Sequence, residues 1–332
     1  MTASSVCVLG AGSWGTALAI LLSQDNKPCR LWAHSPQHAE DIDDKRCNAR
    51  YLPDVSFPDS LDVHADLKTA ISNVDIILLA IPSHVFRETL KKLAPLLSEG
   101  QGIAWATKGL EADTHTLLSQ VVAEEIPTAH PSAVISGPTF AKEVAAGLPT
   151  AVTVASTDED FASKLAERLH TKTFRAYTSH DIVGVQVGGA VKNVLAIAAG
   201  IADGLGFGAN TRSALITRGL AEISRLGHVL GADAATFMGL AGLGDLVLTC
   251  TDDQSRNRRF GKALSAGQSA EQAFAEIGQV VEGAKTAKVV DELATKLDVD
   301  MPICKEVYRV IYEQLSPKQA VTDLLLRSQK SE

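Results

Sequence analysis

The sequence predicts an α/β protein, with an N-terminal doubly wound parallel sheet followed by an all-helical second half. Three observations carry this. A short apolar run, Ser5–Leu9, passes directly into Gly10-Ala11-Gly12-Ser13-Trp14-Gly15 and then into a helical stretch. Apolar strand-like runs then alternate with helical stretches as far as about Thr178. Beyond that point the periodicity is helical to the end, beginning with a long apolar stretch, Ile182–Gly208. Alternating strands and helices argue for a doubly wound sheet, and 332 residues leave room for two domains.

In order along the chain, the first strand is Ser5–Leu9 and the first helix Thr16–Gln24. Between them lies GxGxxG in its required context. The first glycine permits a tight turn, the second lets backbone approach a pyrophosphate, and the third lets helix and strand pack closely. The helix N-terminus then offers unpaired N–H groups and a positive dipole end to phosphate. This is a dinucleotide-binding turn built on Gly10, Gly12 and Gly15. The second strand, Cys29–Ala33, ends in Ala33-His34-Ser35. A carboxylate here would hold a free ribose 2′-hydroxyl. None is present, and His34 can donate to a 2′-phosphate, so the expected cofactor is NADP(H), with NAD(H) also tolerated. The competing reading of Ser35 is a helix cap.

Further strands are read at Val74–Ile81, Gly102–Thr107, Ala133–Ser136, Ala151–Ala155 and Thr173–Tyr177, with a helix at Asp158–Leu169. Val74–Ile81 is almost continuously apolar, as a strand covered on both faces is, and ends in Pro82-Ser83-His84. Lys108 follows the Gly102–Thr107 strand at the edge where ligands bind in such sheets. In an acidic protein that must hold phosphates, this placement favours function over a solvated loop charge. Gly137-Pro138-Thr139 is a turn before a helix, with exposed N–H groups and a hydroxyl.

The stretch Ile182–Gly208 is apolar nearly all round, which marks a core helix of a large protein. Lys192 and Asn193 interrupt it at its midpoint, which argues against a membrane span. Either Lys192 reaches the surface along its stem or it is buried and paired, where a shifted pKa suits proton transfer. Helices follow at Ala209–Leu230, Asn257–Ala266, Ala270–Ile277, Gly283–Leu297, Pro302–Gln314 and Pro317–Arg327. The domain boundary falls at about Gly188, giving a dinucleotide-binding domain, 1–187, and an all-α substrate domain, 188–332.

Two stretches of the second half stand out. Gly239–Leu246 is a Gly-rich apolar turn carrying one carboxylate, Asp245, which reads either as a helix N-cap or as the partner Lys192 needs. Thr251–Lys262 concentrates Arg256, Arg258 and Arg259 beside Ser255 and Asn257; arginine suits phosphate through its planar donor fork. Arg258 or Arg259 can equally lie on a solvated helix face. The turn Gly278–Gly283, holding Val280 and Glu282, is a candidate for closing over a cofactor.

Composition bounds the rest. Hydrophobic content is 45%, charged content 21% and formal net charge −8, which disfavours nonspecific nucleic-acid binding. Five cysteines at wide spacing indicate neither a disulfide framework nor a zinc site, and no metal is expected. The N-terminus has no signal-peptide pattern, so a cytoplasmic location is expected, with no membrane insertion.

The motifs GAGSWGTALA, PSHVF, WATKGL, ISGPTFAKEVAAGLPT, GGAVKNVLAIAAG, AGLGDLVLTCTDDQSRNRRFG and GQVVEG resemble those of the bacterial NAD(P)-dependent glycerol-3-phosphate dehydrogenases, over essentially the whole length. The resemblance implies a Rossmann domain, a helical domain, a homodimer, and reversible reduction of dihydroxyacetone phosphate to sn-glycerol 3-phosphate for phospholipid synthesis. It implies Lys192 as general acid/base, Lys108 near the reacting oxygen and cofactor, and Asp245 positioning the lysines with Asn193 and Thr249 beside it. Arg256 and Asn257, helped by Ser255, are the implied substrate-phosphate clamp, with Gly137 and Thr139 in a substrate loop. Ser13, Trp14, His34, Ala141, Val280 and Glu282 match cofactor contacts, to which Lys108 and Arg256 also contribute. The competing readings are a 6-phosphogluconate or ketopantoate reductase-like dehydrogenase and a cofactor-binding sensor without turnover.

Overall fold

The computed structural model describes residues 4–127 and 130–328. Two compact units divide the chain, Met1–Thr107 with Leu118–Val185, and Lys108–Leu117 with Gln186–Glu332.

The first unit is an eight-stranded sheet with its helices. Its strands are β1 (Val6–Leu9), β2 (Cys29–Trp32), β5 (Leu61–His64), β6 (Ile76–Leu79), β7 (Gly102–Trp105), β8 (Ser132–Ser136), β9 (Thr150–Ala155) and β10 (Phe174–Ser179). Its helices are α1 (Ser13–Leu22), α2 (Pro36–Asp44), α3 (Leu67–Ile71), α4 (Phe86–Leu93), α5 (Leu118–Glu125), α6 (Ala141–Ala145) and α7 (Glu159–Leu169). The spatial order is β10-β9-β8-β7-β6-β1-β2-β5. The order reverses at β1, which pairs with β2 on one side and β6 on the other, both parallel and in register from Val6 to Leu9. Every residue of β1, β6 and β7 is buried, which is why these runs read as continuously apolar.

Three features depart from expectation. β9 runs antiparallel to β8, so the sheet is mixed, although β10 returns parallel to β9. Leu61–His64 is an edge strand, and a small antiparallel hairpin, β3 (Cys47–Asn48) with β4 (Leu52–Ser56), precedes it. Neither was foreseen, because both are short and half exposed. The first helix begins at Ser13 and not at Thr16, so the three residues after Gly12 are already helical.

The second unit is helical. It contains α8 (Ile182–Gly204), which the unit division cuts near its start, α9 (Ala209–Val229), α10 (Asp245–Thr251), α11 (Arg256–Ser265), α12 (Ala270–Ile277), α13 (Glu282–Lys296), α14 (Pro302–Tyr312) and α15 (Pro317–Leu325). α8 is long and apolar enough to cross a membrane, yet 89% of its most apolar window is buried inside the protein. It is the core helix. Close packing around it depends on backbone approach: a Cβ on Gly188 would lie 2.5 Å from the Ala241 carbonyl oxygen. Four of the later helices, α11, α12, α14 and α15, carry local start signals. Ser255, Ser269 and Ser316 cap α11, α12 and α15 through their side chains, and Pro302 and Pro317 sit in the first turn.

Candidate functional site

The glycine turn after β1 is built as its spacing requires. Gly10 has φ +119°, and a Cβ there would lie 2.6 Å from the Ala80 carbonyl oxygen. A Cβ on Gly15 would lie 1.8 Å from the Gly10 carbonyl oxygen, so this glycine closes helix onto strand. Gly12 differs from both. No heavy atom would lie within 4 Å of its Cβ, so protein packing does not demand glycine there. A cradle for an approaching phosphate does. The first intrahelical bond runs from the Thr16 N–H to the Gly12 carbonyl at 2.9 Å, which leaves the preceding N–H groups of α1 without intrahelical acceptors. The residues present therefore fit a dinucleotide.

Around this turn, Ser13 Oγ donates to the Tyr51 carbonyl at 2.7 Å. His34 is exposed beyond the end of β2, and Ser35 caps α2 by accepting the His38 N–H. Trp14 and Ala141 are half-buried, at the starts of α1 and α6. Gly137 follows β8, and Thr139 Oγ1 donates back to its carbonyl at 3.2 Å.

In the helical unit the charged residues meet. Lys192 lies on α8, is 6% exposed, and donates to Asp245 Oδ1 at 2.6 Å and to Thr249 Oγ1 at 2.8 Å. Lys192 therefore does not reach the surface. Lys108 donates to Asp245 Oδ2 at 2.6 Å. Asp245 is fully buried between the two ammoniums. It is the first residue of α10, following a π turn over Leu240–Gly244, and Gly244 occupies the N-cap position. The carboxylate thus serves the lysines and not the helix end. Thr249, one turn further, directs its own hydroxyl hydrogen to the Asp245 backbone carbonyl at 2.6 Å and turns a lone pair toward Lys192.

One carboxylate between two ammoniums leaves a surplus positive charge in a buried place. Burial is the main force lowering the Lys192 pKa, to about 8; Asp245 opposes the shift and Lys108 reinforces it. Lys108 reaches this cluster because residues 108–117 fold with the helical unit. A bridge joins Leu110 to Leu117, and His115 Nε2 lies 2.8 Å from Glu292 on α13.

A second polar chain runs beside the first. Asn257 Nδ2 donates to Asn193 Oδ1 at 3.0 Å, while Asn257 Oδ1 accepts the Gly283 N–H at 2.9 Å. Arg256 opens α11 behind the Ser255 cap and donates to the Val280 carbonyl at 2.9 Å. Glu282, at the start of α13, acts on it as a favourable charge. Lys192, Asn193, Asp245, Thr249, Asn257 and Arg256 are thus linked through α8, α10, α11 and the start of α13.

Arg258 does not lie on a solvated face. It is buried and paired with Asp203 on α8 and with Asp253, while Arg259 is exposed. Helical geometry carried this signal: residues two apart on a helix point about 200° apart, so Arg256 and Arg258 face opposite ways. Sequence reasoning also missed Asn48, which is buried under the glycine turn. Among the described residues, no group of three or more His, Cys, Asp or Glu side chains could hold a metal ion.

Family models of the NAD-dependent glycerol-3-phosphate dehydrogenase N-terminus and C-terminus match residues 5–162 and 181–322. The chain is 56% identical over 329 residues to glycerol-3-phosphate dehydrogenase [NAD(P)+] of Aeromonas salmonicida, covering 99% of this chain and 98% of the relative. The crystal structure of glycerol-3-phosphate dehydrogenase from Coxiella burnetii superposes with a TM-score of 0.96 at 48% identity, covering 98% of this chain and all of that one. A ketopantoate reductase structure from Ralstonia eutropha matches with a TM-score of 0.58 at 15% identity, covering 96% of this chain and 99% of that one; this likeness shows the fold alone.

Proposed function

Because the chain belongs to the NAD-dependent glycerol-3-phosphate dehydrogenase family, we propose that it reduces dihydroxyacetone phosphate reversibly to sn-glycerol 3-phosphate, with Lys192 as the acid/base. It is an NAD(P)-dependent oxidoreductase. Residues 1–187 hold the cofactor and residues 188–332 the substrate. The observation that carries the acid/base assignment is the buried Lys192–Asp245–Lys108 arrangement.

When bound, the nicotinamide supplies the hydride. Gly10, Gly12 and Gly15 with Ser13 and Trp14 hold the pyrophosphate end. His34 reads the ribose, and Ala141, Val280 and Glu282 line the remainder, with Lys108 and Arg256 contributing. Asp245 and Thr249 occupy two of the three Lys192 N–H groups. The third has no acceptor among the described residues, and it delivers the proton to the ketone oxygen. Lys108, on the other carboxylate oxygen, stabilises negative charge developing there. Asn193 ties this cluster to Asn257. Arg256, Asn257 and Ser255 grip the substrate phosphate, with Gly137 and Thr139 closing the substrate loop. Binding energy from the phosphate, remote from the reacting carbon, orients the ketone.

The family match favours this reading over a 6-phosphogluconate-type or ketopantoate reductase-type enzyme and over a sensor without turnover. The product is the backbone of phospholipids. A cytoplasmic homodimer completes the proposal, supported by family resemblance and tested by light scattering of the purified chain. The deciding experiment is NADPH oxidation with dihydroxyacetone phosphate in the parent and in Lys192→Ala. The variant should lose roughly 10²–10⁴-fold in turnover and keep its NADPH affinity. Turnover within a few-fold of the parent would remove Lys192 from the mechanism.

A further inference from the structure

We propose that Asn48 is a positioning residue for the cofactor pyrophosphate, acting as the lock that aims the Ala11–Gly12 peptide. The inference rests on the glycine turn binding the dinucleotide. Asn48 lies outside that motif, in the β3–β4 hairpin, 37 residues from Ala11 in sequence. It is fully buried. Its Nδ2 donates to the Ala11 carbonyl at 2.9 Å and to Thr16 Oγ1 at 2.8 Å, so one amide group grips both the turn and the first turn of α1.

Geometry makes this grip consequential. In a trans peptide the C=O and the following N–H point in opposite directions. Tying the Ala11 oxygen inward therefore turns the Gly12 N–H outward, at a residue whose Cβ position is open space. The Ala11–Gly12 peptide turns about the Ala11 ψ and Gly12 φ angles, and the glycine on that side resists rotation less than any other residue would. Something outside the turn must fix the plane. His38 Nε2 also lies 3.4 Å from the Ala11 oxygen, a longer contact that depends on the ring tautomer. Asn48 makes the shorter one with an unambiguous donor.

The other half of the amide points the same way. Asn48 Oδ1 is buried and has no hydrogen-bond partner among the described residues. Turning the amide over would set two acceptors face to face at Ala11. The side chain is therefore held for its donor, at the expense of an orphaned acceptor. A residue serving only to fill the space under the loop would do so better without polar atoms.

The test replaces Asn48 with leucine, which keeps the branched shape and removes both donor and orphan. The NADPH dissociation constant, read by fluorescence titration, should rise about tenfold or more. The KM for dihydroxyacetone phosphate should hold, and kcat at saturating NADPH should change by less than about twofold. Competition by 2′-AMP, which lacks a pyrophosphate, should be unaltered. Asn48→Ser, too short to reach Ala11, should show the same pattern and serves if the leucine variant does not fold. On the parent chain, amide exchange at Gly12 and Ser13 should slow when NADPH is added. Normal NADPH affinity in a folded Asn48 variant, with the loop amides protected in the parent, would overturn the role of Asn48 alone. Absence of that protection would overturn the glycine-turn reading beneath it.

Discussion

Replacing Asp245 with asparagine perturbs the site at the one group that holds both lysines. The carboxylate lies 2.6 Å from each ammonium and is shielded from water. Removing its charge takes from Lys192 the counter-ion that opposes the shift, so both burial and the neighbouring Lys108 charge then lower the Lys192 pKa. An opposite charge at such distances is worth roughly one to three pH units, equivalent to roughly 1.5–4 kcal/mol between the protonation states. From about 8 in the parent, the variant midpoint moves to about 6 in the middle of that range. The sign follows from the reaction. Reduction consumes the Lys192 proton, so its rate is flat below the midpoint and falls above it. At pH 7.5 about three quarters of the parent lysine is charged, against about 3% in the variant. The assay is kcat/KM for dihydroxyacetone phosphate from pH 5 to 9.5 with saturating NADPH. The parent profile should turn down near pH 8 and that of Asp245→Asn one to three units lower. A variant profile bending within about half a unit of the parent would refute the reasoning.

Three further outcomes are expected. Arg256→Ala should raise the KM for dihydroxyacetone phosphate by the equivalent of roughly 1.5–3 kcal/mol, a lost charge-assisted contact; an unchanged KM would place the phosphate clamp elsewhere. The parent should use NADPH at least as well as NADH, and His34→Asp should swing the ratio of specificity constants toward NADH by adding an acceptor and a repulsive charge. Strong NADH preference in the parent, or a ratio insensitive to the substitution, would show that other residues read the ribose. Glu222, buried on α9, accepts the Ile303 and Cys304 N–H groups at the start of α14, and burial raises its pKa to about 7. The folded chain then binds this proton more tightly than the unfolded chain. The resulting stability is fully present below about pH 4.5 and is lost as pH rises to about 7. Urea unfolding of parent and Glu222→Gln should therefore differ by roughly 3 kcal/mol less in the parent's favour at pH 8 than at pH 4.5, and a constant difference would contradict the shift.

Strands buried on both faces were legible because burial writes itself as an unbroken apolar run, as in Ile76–Leu79. The glycine turn was legible because sterics leave little choice at Gly10 and Gly15. The pairing of Lys192 with Asp245 followed from the cost of an uncompensated buried charge. What escaped has physical reasons too. Strand direction is not encoded in a strand's own residues, so the reversal between β8 and β9 leaves no local mark. The β3–β4 hairpin is too short to show alternation, and with it went Asn48. Helical spacing sets Arg256 and Arg258 on opposite faces, but which of the two is buried depends on Asp203, 55 positions away from Arg258.

Residues 108–117 have a practical consequence for anyone dividing this chain. The charged cluster joins Lys108, Lys192 and Asp245 across separations of 137 and 53 residues. A fragment starting at 186 would carry two of the three. In it, Asp245 would face one lysine instead of two, and the pair would be electrically neutral. Such a fragment would hold its lysine proton more tightly than the whole chain does. A spectroscopic titration of the excised helical half would therefore report the acidity that burial gives Lys192, without the share that Lys108 adds in the whole chain.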